Sequence, residues 1–166
     1  MKTLLKNCRI VGCDYERDKR MDIYVADGVI EKIGENLTVE GVKTLDVGGH
    51  AVLPGLIDMH CNICDPGHEY LEDINTVSHS AIRGGFTTIT CEPNTQPVID
   101  NKTVVEYIVS KSKENSLVNI YPYGSMSIGC KGEIMAEIGE MHEAGIVGIS
   151  DGDEFTDSAA FLRNVM

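Results

Sequence analysis

Apolar and polar residues alternate along the first fifty positions in the manner of short β-strands. The segments 3–11, 22–26 and 29–33 are rich in β-branched residues. Asp27-Gly28 between the last two is a hairpin signal, because both residues accept positive φ. A further turn at 48–50 ends this part of the chain. The pattern predicts a small antiparallel β-layer over residues 1–51.

From residue 52 onwards, short apolar strands alternate with amphipathic helices. The run 51–58 is apolar enough for a strand that is buried on both faces. Further strands are predicted at 86–91, 117–122 and 146–150, and helices at 70–83, 102–114 and 133–142, with a fourth helix beginning near Asp157. Strands that alternate with helices of about ten residues are typical of βαβ units, so the pattern predicts an α/β fold with a parallel sheet.

Composition narrows the class of protein. The 166 residues include 14 basic and 26 acidic side chains, for a net charge of −12, which disfavours binding to nucleic acid or to an anionic membrane. No apolar run approaches the roughly 20 residues of a transmembrane helix, and the N-terminus lacks a secretory signal. We therefore expect a cytoplasmic protein whose six cysteines are reduced thiols: Cys8, Cys13, Cys61, Cys64, Cys91 and Cys130.

The residues suited to chemistry follow the predicted parallel strands. In such sheets, active sites lie on the loops at the carboxyl ends of the strands. The loops 58–67, 92–97, 123–130 and 151–157 hold a large share of the His, Cys, Asp and Asn residues. His60 and Asn62 are two positions apart at a strand end, so they point to the same side. A pair of histidines at this spacing commonly holds a divalent metal, and Asn62 is a weaker, neutral ligand.

Several segments together resemble the bacterial dihydroorotases, the cyclic amidohydrolases of pyrimidine biosynthesis. They are VLPGLIDMH at 52–60, DPG at 65–67, GGFTT at 84–88, PNT at 93–95, and AGI to SD at 144–151. The resemblance covers the whole chain and implies a TIM-like (β/α)₈ barrel with zinc at its top. A complete barrel takes about 250 residues. We therefore expect residues 52–166 to form the first half, about four strands, and residues 1–51 the N-terminal part of a small β-sandwich.

The resemblance also implies roles for residues near the first strand ends. His60 matches the first metal-binding histidine of the family, and Asn62 replaces the second. Cys64 stands where the family has an arginine that pairs with the substrate carboxylate. Asn94 keeps the substrate-binding asparagine. The expected substrate contacts are therefore Asn94, Asn62 and Cys64.

The turn at 150–153 departs from the family pattern. The family has Ser/Thr-Asp-Asp-Gly there, with the second aspartate bridging two metal ions, whereas this chain has Ser-Asp-Gly-Asp. Gly152 thus falls at the bridging position, and Asp151 or Asp153 would reach the metal only through a local shift. The resemblance implies zinc on His60, Asp151 and Asp153. The later histidines and the general-base aspartate would lie beyond Met166, so no catalytic residue is expected in this chain.

Three hypotheses for function stay open. The first is a dihydroorotase-type enzyme chain that acts on a small ring amide and is incomplete without a partner polypeptide or self-association. The second is a non-catalytic scaffold or remnant, for which the resemblance suggests aspartate transcarbamoylase as a partner. The third is a small zinc- or redox-binding protein that uses Cys61 and Cys64. Dihydroorotate, hydantoin and allantoin remain alternative substrates.

Overall fold

The computed structural model describes residues 2–12, 19–154, 156 and 158–166. These residues form two compact units, Met1–Pro54 and Gly55–Met166. Cys13 and the predicted helix start at Asp157 lie outside the described residues. No helix in the described ranges has the length and apolar character needed to span a membrane.

The first unit contains a mixed β-sheet. Its strands are β1 (Lys2–Ile10), β2 (Arg20–Ala26), β3 (Val29–Gly34), β4 (Lys43–Asp46) and β5 (Ala51–Val52). The order is β3-β2-β1-β4, with β5 also on β1, and only the β1/β2 and β2/β3 pairs are antiparallel. The predicted hairpin is present, but the sheet is not wholly antiparallel. β4 was not predicted, because all four of its residues are exposed and only Leu45 is apolar.

The second unit alternates strands and helices, as the sequence predicts. Its elements are β6 (Leu56–Cys61), α1 (Ile74–Arg83), β7 (Phe86–Cys91), α2 (Lys102–Asn115), β8 (Asn119–Gly124), α3 (Ile138–Ala144), β9 (Gly148–Ile149) and α4 (Ala159–Val165). The sheet order is β6-β7-β8-β9, and every neighbouring pair is parallel. The buried core contains residues from three helices and both inner strands, including Ile74, Ile89, Ile108, Ile120 and Met141.

Two helices begin later than predicted. α1 starts at Ile74 because Asp73 caps it: the carboxylate accepts from the Thr76 N–H, and the Thr76 hydroxyl accepts from the Asp73 N–H. α3 starts at Ile138 rather than 133, because the preceding residues fold back onto the loop after β8. The Ile128 N–H donates to the Ile134 carbonyl, and the Ala136 N–H donates to the Met126 carbonyl.

The prediction that residues 51–58 form one strand buried on both faces is wrong. The run breaks at Pro54-Gly55: β5 pairs with β1, whereas β6 pairs with β7. β6 has a single neighbour in the sheet, and its Ile57 and Met59 side chains are 62% and 67% exposed. A run of apolar residues does not distinguish an inner strand from an edge strand, since the difference depends on partners far along the chain.

Candidate functional site

The parallel sheet brings the predicted loops to one edge. His60 lies near the end of β6, Glu92 directly follows β7, Ser125 directly follows β8, and Ser150 directly follows β9. This is the edge at which α/β proteins carry their sites. The predicted loops are therefore neighbours at one edge of the sheet, as the parallel order of the strands requires.

A buried carboxylate connects three of these strand ends. The Glu92 side chain is 5% exposed, and its Oε1 lies 3.2 Å from Nδ1 of His60, whose side chain is 69% exposed. The Ser150 hydroxyl donates to Glu92 Oε2 at 2.9 Å and accepts from the Gly152 N–H at 2.9 Å. Glu92 was not predicted as a site residue. The available signal was an acidic residue directly after an apolar, β-branched strand.

A second buried carboxylate, Asp151, is occupied by protein donors. Its Oδ1 accepts from the Ser125 hydroxyl at 2.7 Å, the Met126 N–H at 2.8 Å and the Ser127 N–H at 3.0 Å. Its Oδ2 accepts from the Ser127 hydroxyl at 2.6 Å. Oδ1 thus has three protein donors and Oδ2 has one among the described residues, so the protein itself compensates much of the carboxylate's charge. Asp151 joins the end of β9 to the loop after β8.

An open cleft of about 660 Å³ lies beside Asp151. Asn94 and Asp153 line it together with Asp151, so three of the predicted site residues share one surface. Lys131 and Glu133 supply further charges. A Cβ placed on Gly152 would lie 4.0 Å from the Cβ of Asn94, which shows how closely the two predicted loops approach. The cleft is polar and suits a small polar molecule.

The other predicted residues lie outside this cleft lining. Asn62 is exposed, and Cys64 is partly buried with a positive φ of 56°. The next residue, Asp65, is fully buried and bound to the Lys111 amine at 2.8 Å and to the Tyr107 hydroxyl at 3.0 Å. The end of this loop is thus anchored to α2.

The thiols near this edge are poorly suited to redox chemistry at neutral pH. Burial and, to a smaller extent, the charge of the nearby Asp58 carboxylate raise the pKa of the Cys61 thiol to about 11. Burial also raises the pKa of the Cys91 thiol on the neighbouring strand. Reactive cysteines have a lowered pKa, because the thiolate is the reacting form. The structure therefore gives no support to a redox role for Cys61.

The predicted zinc ligands do not converge into a metal centre. Among the residues that the structure describes, no three His, Cys, Asp or Glu side chains form a group that could hold a metal ion. His60 contacts Glu92, Asp151 accepts four hydrogen bonds from the loop after β8, and Asp153 is exposed at the cleft.

Solved structures of cyclic amidohydrolases resemble this chain. The L-hydantoinase (dihydropyrimidinase) of Arthrobacter aurescens matches with a TM-score of 0.80 and 29% identity, over 98% of this chain and 37% of that chain. A solved dihydroorotase matches with a TM-score of 0.60 over 89% of this chain and 41% of its own, but its 16% identity shows the fold alone. The second unit is thus half of a barrel-like parallel sheet of the cyclic amidohydrolase class, which confirms the predicted fold class.

Sequence comparison narrows this class further. The pattern of the dihydro-orotase-like family matches residues 49–166, so the chain belongs to that family. The dihydroorotase of Geobacter sp. (strain M21) is 45% identical over 167 residues, and that of Ruminiclostridium cellulolyticum is 40% identical over 166 residues. Each alignment covers 100% of this chain and 39% of the relative. The chain therefore spans about two fifths of the length of these dihydroorotases.

Proposed function

We propose that this chain is the N-terminal portion of a dihydroorotase-type cyclic amidohydrolase of cytoplasmic pyrimidine biosynthesis. The reaction is the reversible conversion of N-carbamoyl-L-aspartate to dihydroorotate, and further polypeptide is needed for activity. The observation that carries the proposal is 45% identity to a dihydroorotase across the entire chain. The polar cleft at the carboxyl edge, with Asn94 in its lining, supports it.

Zinc is the metal expected for this family, where it would supply a metal-bound hydroxide and polarise the ring carbonyl. The family's ligand positions in this chain do not fit a two-metal centre. Asn62 offers a neutral amide, Gly152 has no side chain, and Asp151 already accepts four hydrogen bonds. We therefore derive no catalytic step through zinc.

The substrate roles are likewise proposals. The Asn94 amide, exposed at the cleft, offers both a donor and an acceptor to a ring amide. Asn62 and Cys64 would contact the substrate carboxylate. Because a thiol cannot form the bidentate, charged contact of an arginine, we expect weak binding of dihydroorotate.

The test of the enzyme proposal is repair of the site. The chain carrying Asn62→His, Cys64→Arg and Gly152→Asp is co-expressed with the part of the Geobacter dihydroorotase that follows the matched region. We expect dihydroorotate hydrolysis from the repaired pair and none from the unrepaired pair. Adding His60→Ala to the repaired chain should abolish the activity. A co-purifying, folded pair without hydrolysis would contradict the proposal, and hydantoin or allantoin in parallel assays reports the substrate class.

The four hydrogen bonds that bind the Asp151 carboxylate into the fold favour a second candidate, a non-catalytic scaffold. In that case, the chain would bind aspartate transcarbamoylase or a second copy of itself, since two four-stranded sheets supply eight strands. Size-exclusion chromatography with light scattering distinguishes these outcomes. Elution as a monomer, both alone and with aspartate transcarbamoylase, would remove both partners.

A further inference from the structure

Asp65 fixes the loop after β6 to the helices α1 and α2. Its carboxylate is fully buried, and the Lys111 amine lies 2.9 Å from Oδ1 and 2.8 Å from Oδ2. The Tyr107 hydroxyl donates to Oδ1 at 3.0 Å, and the Ile74 N–H, at the start of α1, donates to Oδ2 at 3.2 Å. Because a buried carboxylate without its cation is costly, this ion pair holds the loop in one position relative to both helices.

The residues that follow Asp65 join this loop to the loop after β7. The Gln96 N–H donates to the Pro66 carbonyl at 2.9 Å. A Cβ placed on Gly67, whose φ is 107°, would lie 2.2 Å from the Gln96 carbonyl oxygen and 2.4 Å from its Cβ. Only glycine allows an approach this close at such a φ. We call this contact the loop joint; since the two backbones touch there, a shift of one loop displaces the other.

The loop after β7 carries Asn94, the proposed substrate contact, and is closed by its own hydrogen bonds. The Ile99 N–H donates to the Pro93 carbonyl at 3.1 Å, and the Thr95 hydroxyl donates to the Pro97 carbonyl at 2.8 Å. Thr95 is buried, whereas Asn94 beside it is exposed at the cleft. A loop closed in this way moves as one body, so a shift at the loop joint displaces Asn94.

We propose that Lys111 is a positioning residue for the substrate cleft, acting on Asn94 through Asp65 and the loop joint. Lys111 itself lies on α2 and is not part of the cleft lining. Asp65 directly follows Cys64, so the same ion pair also fixes the position from which residue 64 meets the substrate. The inference rests on the proposed function, because it takes Asn94 and Cys64 as substrate contacts. The coupling of Lys111 to Asn94, however, is measured without substrate.

The first measurement is ¹H–¹⁵N NMR of the 166-residue chain. The side-chain amide signal of Asn94, assigned by its loss in Asn94→Asp, should shift in Lys111→Met. It should stay in place in the control Ile108→Val, which removes a methylene from the buried face of the same helix and leaves the ion pair of Asp65 intact. Lys111→Arg keeps the positive charge, so it should return the signal at least halfway to its wild-type position.

Hydrogen exchange separates this coupling from a general loss of stability. The Gln96 N–H, which bonds across the loop joint, is compared with the Val147 N–H, which donates to a carbonyl of β8 at 3.1 Å. Global unfolding accelerates the exchange of both amides by the same factor. In Lys111→Met, we expect exchange of the Gln96 N–H to accelerate at least about tenfold more than that of the Val147 N–H. In Ile108→Val, the two factors should be equal.

Hydrolysis gives the readout that depends on the proposed function. In the repaired pair of chains, Lys111→Met should raise KM for dihydroorotate at least about fivefold and change kcat less than about twofold. The reason is that the displaced residues bind the substrate and do not react with it. An inactive repaired pair would contradict the proposed function, whereas the NMR and exchange results would still decide whether Lys111 positions Asn94.

Four results would overturn the proposal. The first is an Asn94 signal that does not move in Lys111→Met. The second is equal acceleration of the Gln96 and Val147 amides in that variant. The third is a Lys111→Arg spectrum no closer to wild type than that of Lys111→Met, with circular dichroism showing that both variants are folded. The fourth is an active repaired pair whose KM is unchanged by Lys111→Met.

Discussion

Two buried carboxylates at the same edge of the sheet differ in how they are compensated. Asp151 accepts four hydrogen bonds from the loop after β8, three on Oδ1 and one on Oδ2. Glu92 accepts one hydroxyl proton and otherwise faces an imidazole. By burial alone the two carboxylates are alike, since both residues are buried. The number of donors separates them: four hydrogen bonds bind Asp151 into the fold, whereas Glu92 has one hydroxyl donor beside the imidazole.

The charge of Asp65 is compensated in a third way, by the positively charged side chain of a lysine. It is fully buried and is bound to the Lys111 amine, the Tyr107 hydroxyl and the Ile74 N–H. The lysine provides the positive charge that Glu92 lacks. The three carboxylates thus differ in how the protein compensates their charge, and substitutions at each of them test that difference.

The largest effect is expected from Asp151→Asn. The amide NH₂ would face donors that now bind a carboxylate, leaving buried hydroxyl and N–H groups without an acceptor. We expect a loss of about 3 kcal/mol in the free energy of unfolding, measured by urea denaturation. The matched control, Asp153→Asn, changes an exposed residue two positions away and should stay within about 0.5 kcal/mol of wild type. Equal effects of the two substitutions would refute the structural role of Asp151.

Lys111→Met should have the next largest effect, a loss of about 2 kcal/mol, because it leaves the Asp65 carboxylate buried without its cation. The amine is itself partly exposed, which keeps the loss below that of a fully buried pair. Urea denaturation measures the loss. Tyr107→Phe is the matched control, since it removes a neutral hydroxyl from the same carboxylate and should cost about 1 kcal/mol.

The ion pair of Lys111 and Asp65 also predicts how the free energy of unfolding depends on pH. Burial alone would lower the pKa of Lys111, but its hydrogen bonds to Asp65 and Tyr107 and the Asp65 charge raise it above the ordinary value. A raised pKa in the folded state contributes stability that is complete below the unfolded pKa, about 10.4 for lysine, and is lost as pH rises beyond it. The stability difference between wild type and Lys111→Met should therefore be constant from about pH 7 to 9 and shrink above about pH 10. A difference that grows with alkaline pH would contradict this pairing.

The smallest change in stability is expected from Glu92→Gln. The amide keeps the shape of the side chain and an acceptor for the Ser150 hydroxyl, and it removes a buried charge that has no lysine or arginine partner among the described residues. We expect a change of about 1 kcal/mol or less in metal-free buffer. Thermal and urea unfolding alongside Asp151→Asn measure it directly. A loss as large as that of Asp151→Asn would show that Glu92, too, is mainly structural.

The parts of the fold that depend on local sequence were predictable. β7 matches the predicted 86–91, and α2 was predicted within one residue, because a β-branched run and apolar residues at helical spacing are local signals. The exposure of β6 and the late start of α3 were not predictable, since both depend on contacts with distant segments. Glu92 was missed for the same reason: its two partners are 32 and 58 positions away in the chain.

The strand that carries His60 is held less firmly in the sheet than the strand that precedes Glu92. β6 pairs on one side only, whereas β7 lies between two strands. Backbone amides of an edge strand open and exchange with deuterium sooner than those of a central one. The His60–Glu92 contact joins the looser strand to the end of the firmer one. We therefore expect deuterium uptake along Leu56–Cys61 to be faster than along Phe86–Cys91 in an exchange experiment.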